Sequence, residues 1–154
     1  RDKGVVKIFY TSNDIGPKAA GFGAITVTED FEKKYPDATR RVARGLVRAA
    51  EWLSHEENRE EALAIWSRSG VAITSLRSEF EGVPLKNVYN PRVDDFLVSQ
   101  YRDAIAFSKA QKLIRADIDV QKWILPGYVD DAITQLKLDA TFPGRSAAGA
   151  SNGS

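Results

Sequence analysis

The chain has no cysteine, no methionine and a single histidine in 154 residues. Without a thiol it can form no cysteine nucleophile, no thiolate metal site and no disulfide. A disulfide-free chain is compatible with an oxidising compartment but does not establish one. An excess of either charge is also missing: 22 Lys and Arg face 21 Asp and Glu, a net charge of +1. That balance gives no electrostatic case for nucleic acid or an anionic membrane. There is also no run of eighteen apolar residues to span a bilayer.

What is present is 43% apolar residues, enough for a core in one domain's worth of chain. The stretch from Phe31 to Gly70 organises the rest and predicts two consecutive amphipathic helices. Pro36 suits a first helical turn, where its missing N–H has no partner to lose. Val42, Leu46, Ala49, Ala50 and Leu53 recur at three- and four-residue spacing and predict the buried face. Arg40, Arg41, Arg44, Arg48 and Glu51 take the other side. Asn58, with Glu61 three residues on, predicts a capping box for the second helix. Ala62, Ile65 and Trp66 predict its apolar stripe, and Gly70 its left-handed stop.

Upstream, residues 5–11 (VVKIFYT) and 24–27 (AITV) predict two strands. Residues 12–23 between them hold Ser, Asn, Asp, Pro and three Gly, and read as a loop. Thr28 predicts an N-cap for the acidic turn Glu29-Asp30. Downstream, residues 72–80 predict a short helix, and 85–90 stay open between an extended piece and a loop. Asn90-Pro91 predicts the start of the longest later helix, with Val93, Leu97, Tyr101, Ala104, Ile105 and Ser108 on one face. Asp119 predicts the cap of a short helix through Trp123, broken at Pro126-Gly127, and 128–136 turn helical again. From Thr141 the chain is small, polar and Gly/Ser-rich, which predicts a flexible tail over 141–154. No internal repeat is visible.

Chemistry is sparse. His55, beside Glu56-Glu57 at a helix end, reads either as an acid/base or metal ligand or, more ordinarily, as a cation favoured by the helix dipole. Asp94-Asp95 and Asp130-Asp131 are adjacent pairs that point to different faces, so neither is a carboxylate dyad. No catalytic residue, metal site or cofactor is indicated. Arg40, Arg41, Arg44 and Arg48 have the alignment to grip phosphates. With the net charge near zero, the bland reading is a solvated face balanced by Glu51 and nearby acids. Trp52, Trp66 and Trp123 sit at helical positions and read as core. Phe22 and Tyr89 fall in irregular stretches and are better candidates for ligand contact. The glycines at 16, 21 and 23 form neither a Lys-Ser/Thr-ended phosphate loop nor a G-x-G-x-x-G. They belong to an ordinary connection or to backbone that approaches a small ligand.

Several segments together resemble a known family. Phe31 begins an aromatic-acid start, followed by Tyr35-Pro36-Asp37, a helix ending Ala49-Ala50-Glu51-Trp52, and N-x-x-EAL-x-IW at 58–66 before Gly70. Residues 100–114 (QYRDAIAFSKAQKLI) and 119–123 (DVQKW) continue the likeness, which runs from about 5 to 136. This order resembles the C-terminal lobe of nitrate/sulfonate/taurine-type periplasmic substrate-binding proteins of ABC importers. The chain departs in having Lys109-Ala110-Gln111-Lys112 where a glycine usually precedes the Leu-Ile pair.

The resemblance implies an α/β fold: the helix-rich C-terminal portion of a two-lobe, type II periplasmic-binding-protein-like architecture. Residues 1–140 would make up that part, with a strand and hinge region at 1–28 and a helical region at 29–140. Members of the family are about twice as long, so the chain is expected to be a fragment. Its two strands would need partners from a companion N-terminal segment or a second copy. The implied function is binding of a small anionic or zwitterionic solute, sulfonate-, nitrate- or taurine-like, by hinge closure between two lobes. The implied partner is an ABC permease, with no nucleic acid, and the implied location is periplasmic or extracellular, at the membrane through that permease. The family's cleft lies near the loop region, which makes Thr11, Ser12 and Asn13 the matching hydroxyl and amide donors, alongside Phe22 and Tyr89. Two alternatives stay open: a pyrimidine-precursor synthase-like enzyme of the same fold, whose cysteine-rich motif has no counterpart here, and a plain helical interaction module.

Overall fold

The computed structural model describes Phe9, Asp14 and residues 23–149. Among these residues seven α-helices run in order: α1 (Glu29–Lys34), α2 (Pro36–Leu53), α3 (Arg59–Ser67), α4 (Ile73–Glu79), α5 (Asp95–Ala110), α6 (Val120–Trp123) and α7 (Gly127–Gln135). Among the described residues there is no strand. The strand expected at 5–11 lies outside them apart from Phe9. The strand expected at 24–27 is a correction: these residues are irregular, with Ile25 62% and Val27 43% exposed. Among the described residues these four have no ladder partner, and propensity alone does not hold a strand.

The described residues divide into two compact units, one of Arg48–Asn90 and one of residues 23–47 and 91–149. In the first, α3 packs against α4, and Ala50, Ala62, Leu63, Leu76 and Leu85 are its buried apolar side chains. Trp66 lies against Phe80 at 5.1 Å between ring centroids. The stripe expected on α3 is turned by one position: Leu63 is 1% exposed and Ile65 42%. The capping box at Asn58 does not form. A 3-10 turn at Glu56–Asn58 leads into α3, so Asn58 is already right-handed helical and its amide donates back to the Trp52 carbonyl at 2.7 Å. Gly70, at φ 94°, is the expected left-handed stop.

In the second unit α5 packs on α6, and Ala43, Val47, Phe96, Val120, Ala132, Ile133 and Phe142 are buried. Helix α2 thus buries Ala43, Val47 and Ala50, while Val42, expected inside, is 50% exposed. Thr28 and Asp119 cap as predicted, accepting from the N–H of Phe31 at 3.2 Å and of Gln121 at 3.1 Å. Helix α5 starts later than Asn90-Pro91 predicts, because Asp94 is its cap and accepts from Leu97 N–H at 3.1 Å.

Helices α5 and α7 end alike. Lys112 (φ 59°) and Lys137 (φ 57°) adopt the left-handed turn. The next residues, Leu113 and Leu138, donate to Ser108 and Ile133 at 2.8 and 3.0 Å, which closes a Schellman motif at each end. Lys112 is thus the position of the 109–112 stretch whose backbone favours glycine.

The tail expected from Thr141 is also corrected over 141–149. Phe142 is 2% exposed, its carbonyl accepts from Arg92 at 2.7 Å, and Ala147 O accepts from Ser99 at 3.2 Å. Arg145 donates through its N–H and Nε to Asp94 at 3.0 and 2.7 Å and lies over the Phe96 ring at 4.7 Å. One buried aromatic and one charge pair outweigh the small-residue composition around them.

Candidate functional site

A concave feature of the Arg48–Asn90 unit is an open depression of about 660 Å³ on α3, α4 and the turn after α4. Arg59, Glu60, Leu63, Thr74, Arg77, Ser78, Phe80, Glu81 and Gly82 line it. Its two arginines are both engaged, Arg59 with Glu56 and Arg77 with Glu60. Arg59 donates to Glu56 at 2.7 and 2.9 Å and to the carbonyls of Phe80 and Val83 at 3.1 and 2.7 Å. The other Glu56 oxygen accepts from Leu85 N–H at 2.6 Å. A single Glu–Arg pair therefore ties the 80–85 turn to the start of α3. Arg77 donates to Glu60 at 2.7 and 3.2 Å.

The electrostatics follow from these contacts. The Leu85 N–H, then Arg59, holds the Glu56 carboxyl below its ordinary range. Arg77 lowers Glu60, and Glu60 raises Arg77. A small anion entering the depression would have to displace Glu60 from Arg77, so the geometry offers no free cationic site.

His55 stands just beyond α2, with Nε2 2.8 Å from Glu51 and Nδ1 3.7 Å from Glu57. The Glu51 hydrogen bond, with the nearby Glu51 and Glu57 charges, raises its pKa. Among the described residues no three His, Asp or Glu side chains gather as metal ligands. In the other unit Tyr128 donates to Glu32, which raises the phenol's pKa, and Arg40 lies over the Tyr128 ring at 5.8 Å.

Of the ligand residues expected from the sequence, Thr11, Ser12, Asn13 and Phe22 lie outside the described residues. Tyr89 follows the Leu85–Asn87 turn and is 43% exposed, but does not line the depression. Trp52 and Trp66 are partly buried. Trp123, expected in the core, is 49% exposed and meets Tyr101 edge-on at 5.0 Å. Sequence reasoning missed Arg59 and Arg77. Their contacts span 17 to 24 residues, and the one local signal was the three-residue spacing of Glu56 and Arg59.

The fold is similar to a solved structure. The neighbour is a periplasmic sulfonate-binding protein, SsuA, of a sulfonate ABC transporter from Methylobacillus flagellatus KT, with TM-score 0.68 and 27% identity. The match takes in 77% of this chain and 36% of that protein. The helices described above are arranged as in part of a periplasmic binding protein. This chain spans about a third of the neighbour's length. No protein-family profile and no curated protein matches it. No helix among the described residues is long and apolar enough to cross a membrane.

Proposed function

We propose that this chain is the helix-rich C-terminal part of the solute-binding component of an ABC importer. It takes a small sulfonate-, nitrate- or taurine-like solute by closure of two lobes, and the loaded form docks on a membrane permease in the periplasm or at the cell exterior. The observation that carries this reading is the likeness over 77% of the chain to a sulfonate-binding protein. The strands absent from the described helical region come, in this reading, from a companion N-terminal segment or a second copy. Thr11, Ser12 and Asn13 supply hydroxyl and amide donors to the solute's oxygens, and Phe22 and Tyr89 flank them. No cofactor takes part.

The test is calorimetric titration of the chain, bound to the companion segment that completes its two lobes, with alkylsulfonates, taurine and nitrate. Saturable one-to-one binding of at least one member, weakened by Thr11→Ala and Ser12→Ala, is expected. A panel in which no member binds would overturn the reading.

A further inference from the structure

Arg41, Arg44 and Arg48 are exposed on α2 with no hydrogen-bond or ion-pair partner among the described residues. The acids expected to balance them are engaged elsewhere: Asp37 accepts from Arg40 at 2.7 Å, and Glu51 pairs with His55 at 2.8 Å. At 3.6 residues per turn, their spacing keeps the three side chains within roughly 60° of arc along about 10 Å of helix axis. Beside this row Val42, Gly45 and Ala49 repeat the same three-and-four spacing, and all three are exposed.

Among the described residues nothing requires glycine at position 45. It lies inside a continuous helix, its φ is not left-handed, and a Cβ added there would meet nothing within 4 Å. A glycine in a helix interior lowers stability relative to alanine. What it does provide is close approach: small residues at a helix contact bring the second axis to the short end of the usual spacing.

We propose that this face of α2 docks an acidic amphipathic helix of a partner protein. The partner's apolar side lies on Val42, Gly45 and Ala49, and its carboxylates, three and four residues apart, pair with Arg41, Arg44 and Arg48. Guanidinium forks suit carboxylates in bidentate geometry. A helix is the occupant whose repeat matches both strips at once. Nucleic acid fits less well, because the chain carries a net charge of only +1 and the row has no aromatic residue on which bases stack.

The test is fluorescence anisotropy with a labelled, alanine-based helical peptide carrying glutamates at three-and-four spacing. A scrambled isomer of equal charge, single-stranded DNA and phosphatidylserine vesicles serve as competitors. The helical peptide is expected to bind at least about tenfold more tightly than its isomer. The combined Arg41→Glu, Arg44→Glu, Arg48→Glu variant should lose it and instead bind the lysine version of the same peptide. Gly45→Ala should weaken the wild-type interaction and Gly45→Leu should weaken it further, with circular dichroism reporting the fold of each. Equal affinity for both isomers, failure of the lysine peptide to bind the reversed variant, or preference for DNA or vesicles would overturn the proposal.

Discussion

Arg59 and three arginines of α2, Arg41, Arg44 and Arg48, are the same residue type with opposite fates. Arg59 begins a helix beside a returning turn and donates to one carboxylate and two carbonyls. Arg41, Arg44 and Arg48 stand on a face that no described element covers. Charge alone does not assign a role to an arginine. What decides it is whether the chain returns with acceptors that would otherwise be orphaned. Arg59 holds a loop, whereas Arg41, Arg44 and Arg48 have no such acceptors among the described residues.

The largest effect expected from breaking that contrast is at Asp94, which is 8% exposed and serves both as the cap of α5 and as the acceptor for Arg145. Asp94→Ala removes the cap and strands a partly buried guanidinium, and should cost about 3 kcal/mol in urea unfolding. Arg59→Ala should cost about 2 kcal/mol, because the Phe80 and Val83 carbonyls lose their donor. Glutamine at Arg41, Arg44 or Arg48 should each stay within about 0.5 kcal/mol, as for surface sites generally. A comparable loss there would erase the distinction.

Smaller changes sharpen it. Gly45→Ala should raise stability by about 0.5–1 kcal/mol, since the site is open and helical. Lys112→Gly should raise it by at most about 1 kcal/mol, by relieving a left-handed lysine at φ 59°. The smallest effects are in pH dependence, and they have opposite signs. Glu56 is held below its ordinary 4.5, so its contribution is present above that value and fades as the pH falls through the lowered one. His55 is raised above 6.5, so its contribution is present below that value and fades as the pH rises through the raised one. Glu56→Gln should flatten the acid limb of a stability–pH profile and His55→Gln the neutral limb.

Local signals were readable and non-local ones were not. Thr28, Asp119, Pro36 and Gly70 do what their chemistry predicts, because each acts on backbone within a few residues. The α2 face was misjudged by one position because alanines and a glycine carry little periodic contrast. Asp94 was hidden by Asn90-Pro91, a plausible start four residues early. The packing of Phe142 and Arg145 depends on Arg92 and Asp94, about fifty residues away, a distance over which composition carries no information. The ligand loop rests on resemblance, since its residues showed only suitable donors and irregular backbone.

The most direct test of the proposed solute-binding role is a titration of the nitrogen-15-labelled chain, bound to its companion segment, with a small alkylsulfonate, followed by amide chemical-shift mapping. The account predicts saturable shifts at Thr11, Ser12, Asn13, Phe22 and Tyr89, with the amides of α2 and of the Arg77 depression unmoved. Shifts centred on Arg77 or on the α2 arginines, or no shifts at all, would contradict it.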